Sequence, residues 1–200
     1  DESITVNLKL YDAALFSHKL MLERKYICGM NDDILIIRDK VTNIGSKQTP
    51  YMILYHCNFG YPLLCEKSRL EINSTGVAPR DAHAEEGIAE WNKILTPQAD
   101  FTEQCYYHTF SEKPRISLSN PEIKTEMTMT FSDKSLDCFT QWKMMGEYEY
   151  VMGLEPGNCL PDGRDVMREK GILKFLAPGE SAENEIRFEF KKTEKKAAVN

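Results

Sequence analysis

The strongest constraint on this chain is a two-residue rhythm. Ile4, Val6, Leu8 and Leu10 alternate with Thr5, Asn7 and Lys9, and near the other end Ile186, Phe188 and Phe190 alternate with Arg187 and Glu189. Successive side chains of a strand point to opposite faces, so this spacing fits half-buried β-strands rather than helices. The same pattern predicts strands over 20–28, 33–41, 123–131, 138–144, 149–154 and 185–190, and the nearly continuous apolar run 51–57 reads as a central strand. Turn chemistry separates them at Asn43-Ile44-Gly45-Ser46 and Ala177-Pro178-Gly179-Glu180. Helical signal is confined to short stretches at 81–93 and 165–170. The expected architecture is an all-β, mostly antiparallel sandwich forming one domain over 1–190, with a polar basic tail over 191–200 carrying Lys191, Lys192, Lys195 and Lys196.

Composition narrows the function classes. Two hundred residues with 42% hydrophobic and 28% charged side chains can build a core without metal or disulfide staples. A net charge of −6 with no clustered basic face argues against nucleic acid as partner, and no apolar run approaches a membrane span. Six cysteines occur without a CxxC pair, so they read as reduced core residues of a cytoplasmic protein. The chain opens Asp1-Glu2-Ser3 without the features of a signal peptide or an initiator Met, as expected of a processed chain or a piece of a longer one. GxSxG, P-loop, GxGxxG and HExxH motifs do not occur, leaving hydrolase, NTPase, NAD-enzyme and metal-enzyme readings without a motif.

Four polar constellations remain. Tyr55-His56-Cys57-Asn58-Phe59-Gly60-Tyr61-Pro62 sets a His and an Asn among aromatic rings, a mixture that suits a sugar with apolar C–H faces and a hydroxyl edge; equally, His56 can be a satisfied core histidine with Phe59 and Tyr61 as core filler. Gly153-Leu154-Glu155-Pro156-Gly157-Asn158 puts a carboxylate at a strand end, where partial burial raises its pKa and makes it a general base; a solvent-facing turn residue is the alternative. Arg80 and Asp81 begin a long polar connection, from about Ser74 to Gln104, and can bind hydroxyls or simply each other. In Thr140-Gln141-Trp142-Lys143, alternation sets Trp142 opposite Gln141 and Lys143; either face can line a cleft, or Trp142 sits in the core with Lys143 outside.

These segments, in this order, resemble the aldose 1-epimerase-like proteins, in particular a bacterial branch of unknown function within the galactose mutarotase-like superfamily. The resemblance runs through residues 50–64, Pro79-Arg80-Asp81, Glu103-Gln104, Gln141-Trp142-Lys143, 153–159 and 176–181. It implies a galactose mutarotase-like β-supersandwich lacking its N-terminal part, and a site for a monosaccharide or sugar derivative on a concave sheet. It also implies that Glu155 is the base and His56 the acid of a cofactor-free, metal-free mutarotase. Family members carry a further N-terminal segment supplying another His and an Arg. Asn58, Arg80, Asp81, Gln141, Trp142, Lys143 and Asn158 are the candidates for binding the sugar. The alternatives are a carbohydrate-binding or sensing module on the same scaffold, and an isomerase or lyase whose Lys143 and Arg80 grip an acidic sugar. The sequence leaves the sugar, its anomer and the oligomeric state open.

Overall fold

A computed structural model describes residues 2–193. Its strands are β1 (Ser3–Ala13), β2 (Lys19–Gly29), β3 (Ile34–Asn43), β4 (Thr49–Tyr51), β5 (Asn58–Phe59), β6 (Arg69–Ile72), β7 (Gly76–Pro79), β8 (Gln104–Thr109), β9 (Arg115–Asn120), β10 (Thr125–Phe131), β11 (Cys138–Gly146), β12 (Glu149–Gly157), β13 (Lys174–Leu176) and β14 (Ser181–Lys192). Two short helices, α1 (Ala82–Glu86) and α2 (Arg164–Glu169), and a 3-10 turn at Ile88–Glu90 complete it. No helix among the described residues is long and apolar enough to cross a membrane.

The chain forms two compact units. One contains the chain up to Tyr55 together with Phe131–Cys138 and Pro156–Phe188; the other contains His56–Thr130, Phe139–Glu155 and the stretch from Glu189.

In the first unit β1 pairs antiparallel with β2 over their full length, and β2 with β3. The alternation that marks β1 is not matched by burial. All eleven of its residues are exposed, Leu8 and Leu10 at 44% and 50%, because nothing among the described residues packs on its apolar face. The core of this unit gathers Leu20, Val41, Tyr51 and Leu176, with Leu22, Ile53 and Ala182 against them. The expected central strand over 51–57 does not form. Only Thr49–Tyr51 pairs, with β13, and beyond it a single bridge joins Leu54 to Gly157. Main-chain bonds continue on either side of that bridge, from the Tyr55 N–H to the Pro156 carbonyl and from the Asn158 N–H to the Ile53 carbonyl, both at 3.0 Å, and the Asn158 side chain adds two more, donating to the Tyr51 carbonyl at 3.2 Å and accepting from the Ile53 N–H at 2.8 Å. Next to this lies a buried ion pair: Arg24 holds Asp39 through two hydrogen bonds of 2.8 and 2.6 Å, and the Tyr55 hydroxyl donates to Asp39 at 2.7 Å.

The second unit carries the sheet β5-β12-β11-β8-β7 and the antiparallel group of β6, β9 and β10. Its core includes Leu64, Tyr106, Ile116, Leu118, Met127, Met129, Phe139, Met145, Met152 and Leu154. Strands β6 to β9 have no counterpart in the sequence expectations. They are short, and their alternation is interrupted by polar residues such as Ser117, which is nevertheless buried. No disulfide links the six cysteines. Lys191 and Lys192 close β14, while Lys195 and Lys196 of the expected tail lie outside the described residues.

Candidate functional site

Two-residue alternation divides β11 and β12 into two faces, and the site occupies one of them. Gln141 and Met145 are fully buried on one side of β11, whereas Trp142 and Met144 are partly exposed on the other. Trp142 and Gly153 lie side by side on that exposed face: a Cβ on Gly153 would come within 3.1 Å of the Trp142 Cβ. Glu155, two residues further along β12, folds its carboxylate back over Gly153. A Cβ there would lie only 2.4 Å from Glu155 Oε1, so the carboxylate has its place because residue 153 has no side chain.

His56 reaches the same carboxylate. Its Nε2 lies 3.1 Å from Glu155 Oε1, an ion-pair contact without hydrogen-bond alignment. The imidazole side chain is 54% exposed and the carboxylate 3%. Asn58, which pairs with Gly153 across β5 and β12, has its Oδ1 2.9 Å from His56 Nδ1. With Nδ1–H donating to Asn58 Oδ1, Nε2 is the nitrogen that faces Glu155. The ring also meets Trp142 edge-to-face at 5.4 Å. Burial raises the Glu155 pKa; the nearby His56 pulls it down, and the Glu103 carboxylate pushes it up again.

Glu103 was not among the expected site residues, yet it joins the others. Its Oε2 accepts from the Trp142 indole N–H at 2.6 Å and its Oε1 from Arg80 at 3.0 Å. Arg80 in turn donates to Asp81 at 2.9 Å, and Asp81 caps α1 by accepting from the Ala84 N–H at 2.9 Å. Of the two readings of Arg80 and Asp81, hydroxyl binding or pairing with each other, the structure shows the pairing, and Arg80 also holds Glu103 beside Trp142. The sequence signals for Glu103 are the Glu103-Gln104 segment of the family resemblance and its place two residues before Cys105, which pairs with Trp142.

Gln141, Lys143 and Asn158 do not join this face. Gln141 donates to the Trp91 carbonyl at 2.9 Å and lies 3.2 Å from His108 Nε2; Lys143 is 2% exposed and donates to the Glu90 carbonyl at 3.1 Å. Glu90 and Trp91 of the long connection therefore lie behind the sheet, while Arg80 and Glu103 reach the site. The alternative with Trp142 in the core and Lys143 outside is reversed. Tyr61 is not core filler either, being 84% exposed. Asn158 is buried and holds the backbone of Tyr51 and Ile53. Among the described residues no three His, Cys, Asp or Glu side chains gather as a metal would need.

Burial lowers the Lys143 pKa to about 8, with Glu90 opposing the shift. The folded state thus binds this proton less tightly than the unfolded chain, so stability from this group rises as pH climbs from about 8 toward the ordinary 10.5. Lys143→Met is expected to remove that rise, and thermal unfolding of both proteins between pH 7 and 10 checks it. Parallel pH profiles would show that the ammonium is not desolvated.

No curated protein matches this sequence. The signature described as a domain of unknown function, DUF4432, spans residues 1–190. The chain belongs to the DUF4432 family. Solved structures place the DUF4432 chain by fold. A candidate aldose 1-epimerase of Klebsiella pneumoniae superposes with a TM-score of 0.89 at 22% identity, over 94% of this chain and 50% of that one. A galactose 1-epimerase of Lactobacillus acidophilus gives 0.68 at 16% identity, over 96% and 64%. A galactose mutarotase-like protein of Clostridium acetobutylicum gives 0.65 at 15%, over 96% and 63%. The DUF4432 chain therefore has the galactose mutarotase-like fold, all-β and mostly antiparallel, and spans from half to just under two thirds of the length of these proteins.

Proposed function

We propose that this protein binds a sugar on the Glu155–Trp142 face and interconverts its anomers, with Glu155 as base and His56 as acid. The observation that carries the reading is the contact of a buried carboxylate with an exposed imidazole at 3.1 Å, beside an indole ring held in place by Glu103. Ring opening takes one proton from the anomeric hydroxyl O1 and adds one to the ring oxygen O5. Both oxygens are bonded to C1, so a base and an acid that lie close together can serve them from one side of the ring. Glu155 accepts the O1 proton, His56 Nε2 delivers its own to O5, and the C1–O5 bond breaks to leave an aldehyde. Rotation about C1–C2 presents the other carbonyl face, and closure runs the same transfers backwards.

The reactive form carries Glu155 ionised and His56 protonated, and the His56 charge favours the ionised carboxylate. Activity should follow a bell in pH, with its acid limb above the ordinary carboxyl value of 4.5 because Glu155 is raised. Removing the His56 charge removes the interaction that lowers the Glu155 pKa. His56→Gln is therefore expected to cut anomer exchange by roughly 100-fold and to move the acid limb to higher pH. NMR exchange rates across pH check both effects; an unchanged rate and profile would remove His56 from the mechanism.

A further inference from the structure

Two cavities share walls on the exposed face of β11 and β12, and one of them includes Trp142, whose ring meets His56. That one, of 440 Å³, is lined by Glu103, Trp142, Met144, Glu149 and Val151. The other, of 320 Å³, shares Met144 and Glu149 and adds Gln98, Asp100, Phe101 and the turn Gly146-Glu147-Tyr148. Shared walls make them one groove that starts at Trp142, next to Glu155, and ends at the β11–β12 turn. Its far walls are tied together: Gln98 bridges Gly146, donating to the Met145 carbonyl at 2.9 Å and accepting from the Glu147 N–H at 3.0 Å.

Neither cavity is lined by Glu155 or His56, so a ring set with C1 at that pair leaves the far end of this groove free. That end has the chemistry of a second sugar position. Phe101 is half-buried, and Tyr148 stands fully exposed at the turn with a left-handed backbone (φ 64°). These rings offer faces to C–H groups. Asp100, Glu147 and Glu149 offer acceptors for hydroxyls. Neither cavity is lined by Lys or Arg, so nothing in the groove would pair with a phosphate or a carboxylate.

We infer that the substrate is the reducing end of a neutral di- or oligosaccharide, whose second unit lies between Phe101 and Tyr148. This rests on the mutarotase reading of the Glu155–His56 pair and extends it to substrate class. The test compares anomer exchange for sugars sharing one reducing unit: glucose with maltose, cellobiose and lactose, xylose with xylobiose, and mannose with mannobiose. At least one disaccharide is expected to show a kcat/KM about ten times that of its monosaccharide. Tyr148→Ala and Phe101→Ala should each lower that ratio fivefold or more; Tyr148 is solvent-exposed, so its removal leaves the core intact. Equal values within every pair, or a ratio indifferent to both substitutions, would overturn the second position while leaving mutarotation standing. Exchange with none of the sugars would overturn both.

Discussion

Glu155→Gln is expected to lower anomer exchange by about 1000-fold, within the range that a positioned general base supplies. Gln has nearly the same shape and cannot take a proton from O1. The loss would not come from unfolding, as the sign of the Glu155 shift makes clear. Burial raises this carboxyl above its ordinary 4.5, so the folded state holds the proton more tightly than the unfolded chain. The stability contributed by that proton is present at low pH and fades as pH rises through the folded value. At neutral pH the Glu155 charge therefore works against folding, and a neutral Gln should unfold at the same temperature as the parent or higher. Inactive but equally stable protein is the expected result, read by NMR exchange and thermal unfolding on one sample. A variant that keeps its rate would move the base elsewhere.

Asp39→Ala should have the largest effect on stability. The Asp39 carboxylate is fully buried, held by two bonds from Arg24 and one from the Tyr55 hydroxyl. The Arg24 guanidinium lies 5.7 and 5.4 Å from the centres of the Tyr26 and Tyr55 rings. Deleting the carboxylate strands the cation between those rings and leaves the Tyr55 hydroxyl without its acceptor. Breaking a buried pair from one side costs about 3–5 kcal/mol, or roughly 10 °C in a chain of this size. Denaturant unfolding measures it. Asp39→Asn, which keeps the shape and part of the hydrogen bonding, should fall between the two. A loss below that of an ordinary surface change would show that water already screens the pair.

The long strands are the ones legible in the sequence, and β1 forms over its alternating Ile4–Leu10 stretch. β2, β3, β10, β11, β12 and β14 also appear close to their expected places, because β-rich apolar stretches and alternation such as Ile186-Phe188-Phe190 are local properties. The same signal misled at 51–57. An apolar run reports burial, and here burial comes from packing around Tyr51 and Tyr55 while side chains such as Asn158 satisfy the backbone. In β11 the alternation separated Trp142 from Gln141 and Lys143, but it carried no information about which face would be covered. That depended on where the 82–95 stretch lies, a tertiary fact, and Lys143 ended beneath Glu90. Arg80 and Asp81 were conspicuous as charges, yet their roles depended on Glu103, 22 residues further on from Asp81. The Glu155–His56 contact joins residues 99 apart. Their polarity at strand ends was visible locally; their meeting was implied by family resemblance rather than by residue pattern.

The most direct test is saturation transfer between the α and β anomeric resonances of reducing sugars, with catalytic amounts of this protein at neutral pH. The account predicts transfer well above the buffer rate for at least one sugar, abolished by Glu155→Gln in a sample that remains folded. Transfer at the buffer rate for every sugar, from a folded wild-type chain, would contradict it.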